Sequence, residues 1–131
     1  MENVMNNGSS VGKTLEVLLV DDDPLFGRIM MAAAEQAGVS LTYSSNPKLL
    51  YRHVPLKPFD VVILDYNLGL VTGLQFARFL EERGKSVPTI LISAHGQIDE
   101  CRWPGSIRKS LDKSIGATSI LEFALTCVSK T

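Results

Sequence analysis

Acidic residues directly follow two apolar segments of this chain. Asp21, Asp22 and Asp23 follow the apolar run in "VLLVDDDP" (17–24), and Asp65 ends "VVILD" (61–65). Neighbouring carboxylates repel one another, and burying them costs free energy. A hard divalent cation offsets that repulsion, and Mg²⁺ prefers a few carboxylates together with water and phosphate oxygens. Asp21, Asp22 and Asp65 are therefore candidate Mg²⁺ ligands, whereas Asp23, followed by a proline, fits the N-cap of a helix.

A hydroxyl and an amine follow two other apolar segments. Ser93 ends "TILIS" (89–93), and Lys113 lies just after "IRKSL" (107–111). A hydroxyl can donate a hydrogen bond to a phosphoryl group, and an ammonium can balance its charge. A carboxylate between Mg²⁺ and a lysine can act as a nucleophile and form an acyl phosphate. Taken alone, each acid could also be a cap or a loop end, Ser93 the end of a strand, and Lys113 a surface lysine.

Five candidate β-strands alternate with helical patterns and would position these side chains. Residues 15–20, 61–65 and 89–93 are continuous apolar runs, typical of parallel strands that are buried on both faces. Residues 40–44 and 107–111 are half polar and suit the edges of a sheet. The pattern predicts an α/β, flavodoxin-like, three-layer (βα)5 fold with a parallel sheet in the order 2-1-3-4-5. In that order, the first and third strands end side by side, where ligands bind.

The helical patterns are of unequal strength. Five helices are predicted: one after Asp23, a second opening at Asn46-Pro47, a third over Gly73 to Glu82, a weak fourth over 97–102, and a fifth that starts at the capping pattern of Ser119 with Glu122. The predicted core face of the fifth helix does not include three of its apolar residues, Leu121, Phe123 and Leu125, which would point partly outward. We expect these three residues to form an interaction surface for a partner, a second copy of the chain or the N-terminal tail.

Composition narrows the class of protein. The chain has 131 residues, enough for one domain, and 13 basic residues against 14 acidic ones. The near-zero net charge gives no support for nucleic acid or a membrane surface as a partner. Residues 1–13 are polar and are predicted to be a disordered tail that precedes a domain over 14–131. Cys101 and Cys127 form no metal-ligand cluster, and with no secretion signal they predict a cytoplasmic protein with reduced thiols.

From about residue 14 to about residue 130 the sequence resembles the response-regulator receiver family of two-component signalling. The matching motifs are "VDDD" (20–23), "LDYNLGLVTG" (64–73), "ISA" (92–94) and the lysine of "SLDKS". The resemblance implies that Asp65 is the phosphoacceptor, and that Asp22 binds Mg²⁺ directly and Asp21 mainly through water. It implies that the backbone carbonyl of Asn67 is a further metal ligand. Ser93 would bond the phosphoryl group, Lys113 would neutralise it, and the side chains of Asn67 and His95 would tune its hydrolysis.

Three positions depart from the family pattern. Gly69 and Ser114 stand where prolines are common, and Ser110 stands where an aromatic switch residue is frequent. Because a cis bond before a residue other than proline costs about 2.5–4 kcal/mol, a trans Lys113–Ser114 bond or a local rearrangement is expected. Gly73 is expected to need an unusual backbone angle.

These observations together predict a stand-alone phosphorylatable receiver, not an enzyme. A histidine kinase or a histidine phosphotransfer protein would supply the phosphoryl group, and the output would be altered contact with a downstream protein or a second copy. The departures at Gly69, Ser110 and Ser114 motivate an alternative, an interaction module of the same fold that signals without phosphorylation. A metal-dependent phosphatase is a third hypothesis, although Asn67 stands where its second acid would be needed.

Overall fold

A five-stranded parallel sheet forms the centre of the molecule. The computed structural model describes residues 14–46, 59–69, 71–84, 87–94 and 103–129. The strands are β1 (Glu16–Val20), β2 (Ser40–Ser44), β3 (Val61–Asp65), β4 (Thr89–Ser93) and β5 (Ile107–Asp112). They pair in parallel in the order β2-β1-β3-β4-β5. The predicted fold class and strand order are therefore confirmed, and the two half-polar strands lie at the edges as expected.

Apolar side chains on both faces of the inner strands create two cores. Val17 and Leu19 of β1 belong to one buried cluster, and Leu18 and Val20 belong to the other. This division follows from the alternation of side chains along a strand. It explains why the inner strands are continuous apolar runs, since both of their faces are covered.

Within the described residues, three α-helices cover the two faces of the sheet. These are α1 (Pro24–Ala37), α2 (Gly73–Glu82) and α3 (Ala117–Ser129), and a short 3-10 helix, Lys113–Ile115, precedes α3. Helices α1 and α3 contribute Met30 and Ile120 to one core, and α2 contributes Phe76 to the other. The result is a three-layer arrangement in which every strand leads to the same rim of the sheet.

The predicted N-cap of α1 and the predicted bounds of α2 agree with the structure, whereas the predicted start of α3 does not. The Asp23 carboxylate accepts a hydrogen bond from the Leu25 N–H (3.0 Å), so the predicted N-cap of α1 is confirmed. Helix α2 has the predicted bounds. The predicted start of the fifth helix is wrong, because α3 begins at Ala117, before the expected capping pair. The Ile120 N–H already donates to the Gly116 carbonyl (3.0 Å), so the first turn has formed by then.

Some predictions lie outside the described residues. They are the tail over 1–13, the second helix from Pro47 onward, the fourth helix over 97–102, and His95. Within the part of the chain that the structure describes, no helix is long and apolar enough to cross a membrane.

Candidate functional site

Three carboxylates meet at the carboxyl rim of the sheet. Val20 of β1 pairs with Leu64 of β3, so Asp21 and Asp65, the next residues, lie side by side. Asp21, Asp22 and Asp65 each offer a carboxylate oxygen, and these oxygens lie within 4.8 Å of one another. Asp21 is fully buried and Asp65 is 6% exposed, whereas Asp22 is open to solvent. The strand register therefore brings together acids that are far apart in the sequence.

Lys113 brings one positive charge to these three acids. Its Nζ lies 2.7 Å from Asp21 Oδ2 and 3.5 Å from Asp65 Oδ2, so Asp21 is the closer partner. The same Nζ lies 4.8 Å from the centre of the Phe26 ring. This cation–π contact helps to hold the ammonium in place, in addition to the two carboxylates. Among the residues that the structure describes, one ammonium lies against three carboxylates, so the cluster keeps a surplus of negative charge.

Burial and the neighbouring charges shift the pKa values of Asp65 and Lys113. Burial and then the charge of Asp21 raise the pKa of Asp65 from 3.8 to about 6, although Lys113 acts to lower it. Burial lowers the pKa of Lys113, but the hydrogen bond and charge of Asp21, followed by Asp65, raise it above its ordinary 10.5. Clustered oxygens with surplus negative charge are the donor set that a hard divalent cation prefers. The residues present therefore fit Mg²⁺.

The loop after Asp65 turns tightly into α2. The Gly73 N–H donates to the Tyr66 carbonyl (2.7 Å), and a Cβ on Gly73 would lie 2.6 Å from the Asp65 backbone oxygen. Gly73 does not take a positive φ. The expected unusual angle is therefore wrong, and close approach of two backbone segments is the reason that glycine fits here.

Asn67 and Gly69 shape the same loop. The Asn67 N–H makes a long hydrogen bond to Asp65 Oδ1 (3.4 Å), and the Asn67 side-chain oxygen accepts from the Gly69 N–H (3.3 Å). Gly69 has a φ of 85°. Proline cannot adopt that angle because its ring fixes φ near −65°. The glycine at this position therefore allows a path that the more usual proline would forbid.

Ser93 lies at the same rim as the acids. It is the last residue of β4, it is 5% exposed, and its neighbour Ile92 pairs with Asp65. The structure thus places this hydroxyl residue one position beyond the residue that pairs with Asp65.

The peptide bond after Lys113 leads into a short, capped 3-10 helix. No described residue has a cis peptide bond, so Lys113–Ser114 is trans, as predicted. The Ser114 N–H donates to Asp112 Oδ1 (2.8 Å), a bond that proline could not make. This bond caps the 3-10 helix that Lys113 begins.

Two aromatic contacts at the site were missed by the sequence reasoning. One is the Phe26 ring beneath Lys113, and the other is the Tyr43 hydroxyl, which donates to the Asp21 backbone carbonyl (2.7 Å). The signal that could have found Tyr43 is its place near the end of β2, the strand next to β1. The residue type of Phe26 or Tyr43 does not by itself indicate a role at the site.

The predicted surface on the fifth helix is only partly exposed. Leu121 is 2% exposed and lies in the core, so its assignment to an outer surface is wrong. Leu125 is half-buried against the same core, and Phe123 is 43% exposed. The reason is that α3 packs against α1 as well as the sheet, which buries two sides of the helix.

A parallel sheet in this order, with a carboxylate cluster where strand order reverses, defines a flavodoxin-like α/β protein with a candidate metal site. The family model of the response regulator receiver domain matches residues 17–104. The chain belongs to this family of two-component signalling domains. Lys113 follows the matched residues, so its place in the site rests on the geometry above.

Two curated relatives that match this chain are named as transcriptional regulators and are longer than it. The Salmonella typhimurium protein named "Probable transcriptional regulatory protein SilR" is 31% identical over 85 residues, which cover 65% of this chain and 37% of that protein. The phosphate regulon regulator PhoB of Pseudomonas aeruginosa is 30% identical over 91 residues, which cover 68% of this chain and 39% of PhoB. The chain thus spans under two fifths of the length of either relative.

Solved receiver structures share the fold. A CheY-like receiver domain from Methanospirillum hungatei has a TM-score of 0.77 at 13% identity, over 90% of this chain and 96% of that one. The response regulator TrrA of Thermotoga maritima, solved with Mg²⁺ and BeF, has a TM-score of 0.75 at 19% identity, over 86% and 98% of the two chains. At these identities the likeness shows the fold alone.

Proposed function

We propose that this domain accepts one phosphoryl group on Asp65 with the help of Mg²⁺, and that the added charge changes its contacts with other proteins. The observation that carries the proposal is the setting of Asp65. Its nearly buried carboxylate lies with two other acids and with Lys113 at the carboxyl rim of the sheet. This combination of a metal-binding donor set, a nucleophile and a cation suits phosphoryl transfer.

Each residue of the cluster has a proposed role. Asp22 and Asp65 would hold Mg²⁺ directly, Asp21 would hold it mainly through water, and the Asn67 backbone carbonyl would be a further ligand. Bound Mg²⁺ would neutralise the acids and the incoming phosphoryl oxygens. Ser93 and Lys113 would then contact the phosphoryl group on Asp65, as hydrogen-bond donor and as counter-charge. The side chain of Asn67 and that of His95 would tune how fast water removes the group.

The proposed donor is a phosphohistidine of a histidine kinase or of a histidine phosphotransfer protein. An Asp65 oxygen forms a bond to phosphorus as the bond from phosphorus to the imidazole nitrogen breaks, and the nitrogen keeps the electron pair and takes up a proton. Asp65 acts in its ionised form. In the metal-free protein its pKa is about 6, and bound Mg²⁺ would favour the ionised form further. The transferred group adds about −1.5 to −2 charge units, and that charge would draw in Ser93 and Lys113.

Intact-mass measurement tests the proposal. The protein is treated with a small-molecule phosphodonor and Mg²⁺, and one added phosphoryl group is the expected result. Asp65→Asn should abolish the mass increase. Asp23→Asn is the matched control, because it also removes a carboxylate beside the cluster yet keeps a good N-cap on α1. Labelling that survives in Asp65→Asn, or that never occurs in the wild type, would contradict the proposal.

A second candidate function is an interaction module that does not depend on phosphorylation. Ser110 supports it, because this small side chain is 4% exposed on β5 at a position where an aromatic switch residue is frequent in the family. This candidate predicts that a folded wild-type protein with bound Mg²⁺ gains no mass from the phosphodonor. Steady turnover of a phosphate ester, lost in Asp65→Asn, would instead support the phosphatase hypothesis.

A further inference from the structure

Tyr43 holds the backbone of Asp21 from the neighbouring strand. Its hydroxyl donates to the Asp21 carbonyl (2.7 Å), and the Asp21 N–H donates to the carbonyl of Ser44, the next residue of β2 (3.1 Å). Both polar groups of the Asp21 backbone are therefore fixed by the end of β2. The adjacent acids Asp22 and Asp23 have no such support from β2 among the contacts of the described residues.

The side chain of Asp21 then reaches two other parts of the site. Its Oδ1 accepts a hydrogen bond from the Asp23 N–H (2.9 Å), and its Oδ2 lies 2.7 Å from Lys113 Nζ. Asp21 is fully buried, so its carboxylate has little room to turn. The place of its backbone accordingly sets where both carboxylate oxygens lie.

Gly27 makes room for the Tyr43 ring. A Cβ on Gly27 would lie 2.6 Å from two carbons of that ring, far inside ordinary contact distance. Gly27 lies inside α1, where glycine is less favourable than alanine. The close approach gives this glycine a reason, because any larger residue would push the ring away from α1 and its hydroxyl away from Asp21.

We propose that Tyr43 is a positioning residue for the acid cluster, which acts through the Asp21 carbonyl and depends on Gly27 for its place. The inference rests on the proposed function, since the Asp21 carboxylate that it positions is proposed to hold Mg²⁺, mainly through water. A hydrogen bond to a metal-binding residue typically changes metal affinity by about 10–100-fold when it is removed. Because Tyr43 acts on the backbone of Asp21 and not on a ligand atom, we expect a loss at the lower end, about tenfold.

Tyr43→Phe tests the proposal in the absence of metal. This change removes only the hydroxyl and keeps the ring beside Gly27. We expect the Asp23 amide, which donates to Asp21 Oδ1, to exchange with solvent about fivefold to tenfold faster. The Glu16 amide is the internal control, because it makes a similar bond to the Asp60 carboxylate (2.8 Å) at the other end of β1. Equal acceleration at both amides, or none at Asp23, would overturn the positioning role.

Mg²⁺ binding, measured by calorimetric titration, tests the consequence for the site. Tyr43→Phe should raise the Mg²⁺ dissociation constant about tenfold. A wild type that binds Mg²⁺ and a Tyr43→Phe variant that binds it equally well would overturn only the positioning role. A wild type that binds no Mg²⁺ would overturn this inference together with the metal site of the proposed function.

Gly27→Ala tests the same role from the helix. The new methyl group must displace the Tyr43 ring, so the variant should show the same selective change at the Asp23 amide. In a Tyr43→Phe background, where the hydroxyl is gone, Gly27→Ala should add little to that change. Gly105→Ala is the matched control, because the new Cβ would lie 4.0 Å from its nearest neighbour outside the adjacent residues. Independent, additive effects of the two changes at Asp23 would overturn the link between Gly27 and Tyr43.

Discussion

Asp65 keeps its proton to a higher pH in the folded protein than in the unfolded chain. Its pKa rises from 3.8 to about 6, chiefly through burial and the charge of Asp21. Between these values the folded protein holds a proton that the unfolded chain has released, so ionisation costs the folded state free energy. In metal-free protein, we expect this group's contribution to the free energy of unfolding to be largest below about pH 4 and to be lost by about pH 6. Denaturant unfolding across this pH range measures it.

Asp65→Asn isolates this effect from the other carboxylates of the protein. Asparagine does not titrate, so the wild type should lose stability relative to the variant as pH rises from about 4 to about 6. Above that range the difference should become constant. Two stability profiles that stay parallel through this interval would contradict the raised pKa of Asp65.

The shared location of the candidate site residues could be predicted from the sequence because parallel strands end at one rim. Asp21, Asp65, Ser93 and Lys113 each follow or end a strand, and pairing between strands then brought them together. Tyr43 could not be predicted in the same way. Its role depends on the direction of one hydroxyl and on the space at Gly27, and neither is encoded in the type of residue at a strand end.

At the scale of elements, the turn from β3 into α2 depends on a missing side chain. A Cβ on Gly73 would lie 2.6 Å from the Asp65 carbonyl oxygen and 3.0 Å from a methyl carbon of Leu91. We expect Gly73→Ala to lower the free energy of unfolding by about 1–3 kcal/mol, the usual cost of overpacking. Denaturant unfolding measures the loss, and Gly105→Ala, at an open position, should stay within about 0.5 kcal/mol of the wild type. Equal stability of both variants would show that the turn can relax.

Helix α3 offers a second comparison, between two apolar residues on different sides. Leu121 is 2% exposed in the core shared with α1, whereas Phe123 is 43% exposed. Leu121→Ala should therefore cost about 2–5 kcal/mol of unfolding free energy. Phe123→Ala should cost much less, because a half-exposed ring gives up little buried surface on truncation. Thermal and denaturant unfolding of the pair measure the difference, and a larger loss at Phe123 would contradict the packing of α3 on α1.

The errors at the element scale share one physical cause. Periodicity identified the strands and α2, because the spacing of apolar residues within each element shows which of its faces are buried. The burial of Leu121 depends on a second helix, and the need for glycine at position 73 depends on a backbone carbonyl that lies elsewhere in the chain. A local pattern contains no information about either neighbour, so these contacts became visible only in three dimensions.

For the whole molecule, the net charge of −1 conceals an uneven distribution. The acids of the cluster lie together at one rim with Lys113. The repulsion between these carboxylates lowers the stability of the folded state. A cation that binds this cluster only in the folded state stabilises the whole domain by linkage. We expect Mg²⁺ to raise the thermal unfolding midpoint, with about 2.7 kcal/mol of stabilisation at a hundredfold excess over its dissociation constant.

The matched variants and the pH dependence separate specific binding from general screening. Asp22→Asn removes an exposed proposed ligand and should weaken the Mg²⁺ effect, whereas Asp23→Asn should retain it. The effect should also be larger near pH 8 than near pH 5, because below about pH 6 Asp65 keeps a proton that competes with the cation. Sodium chloride at the same ionic strength screens surface charges without occupying the cluster. An equal rise of the midpoint in sodium chloride would therefore contradict a Mg²⁺ site made of Asp21, Asp22 and Asp65.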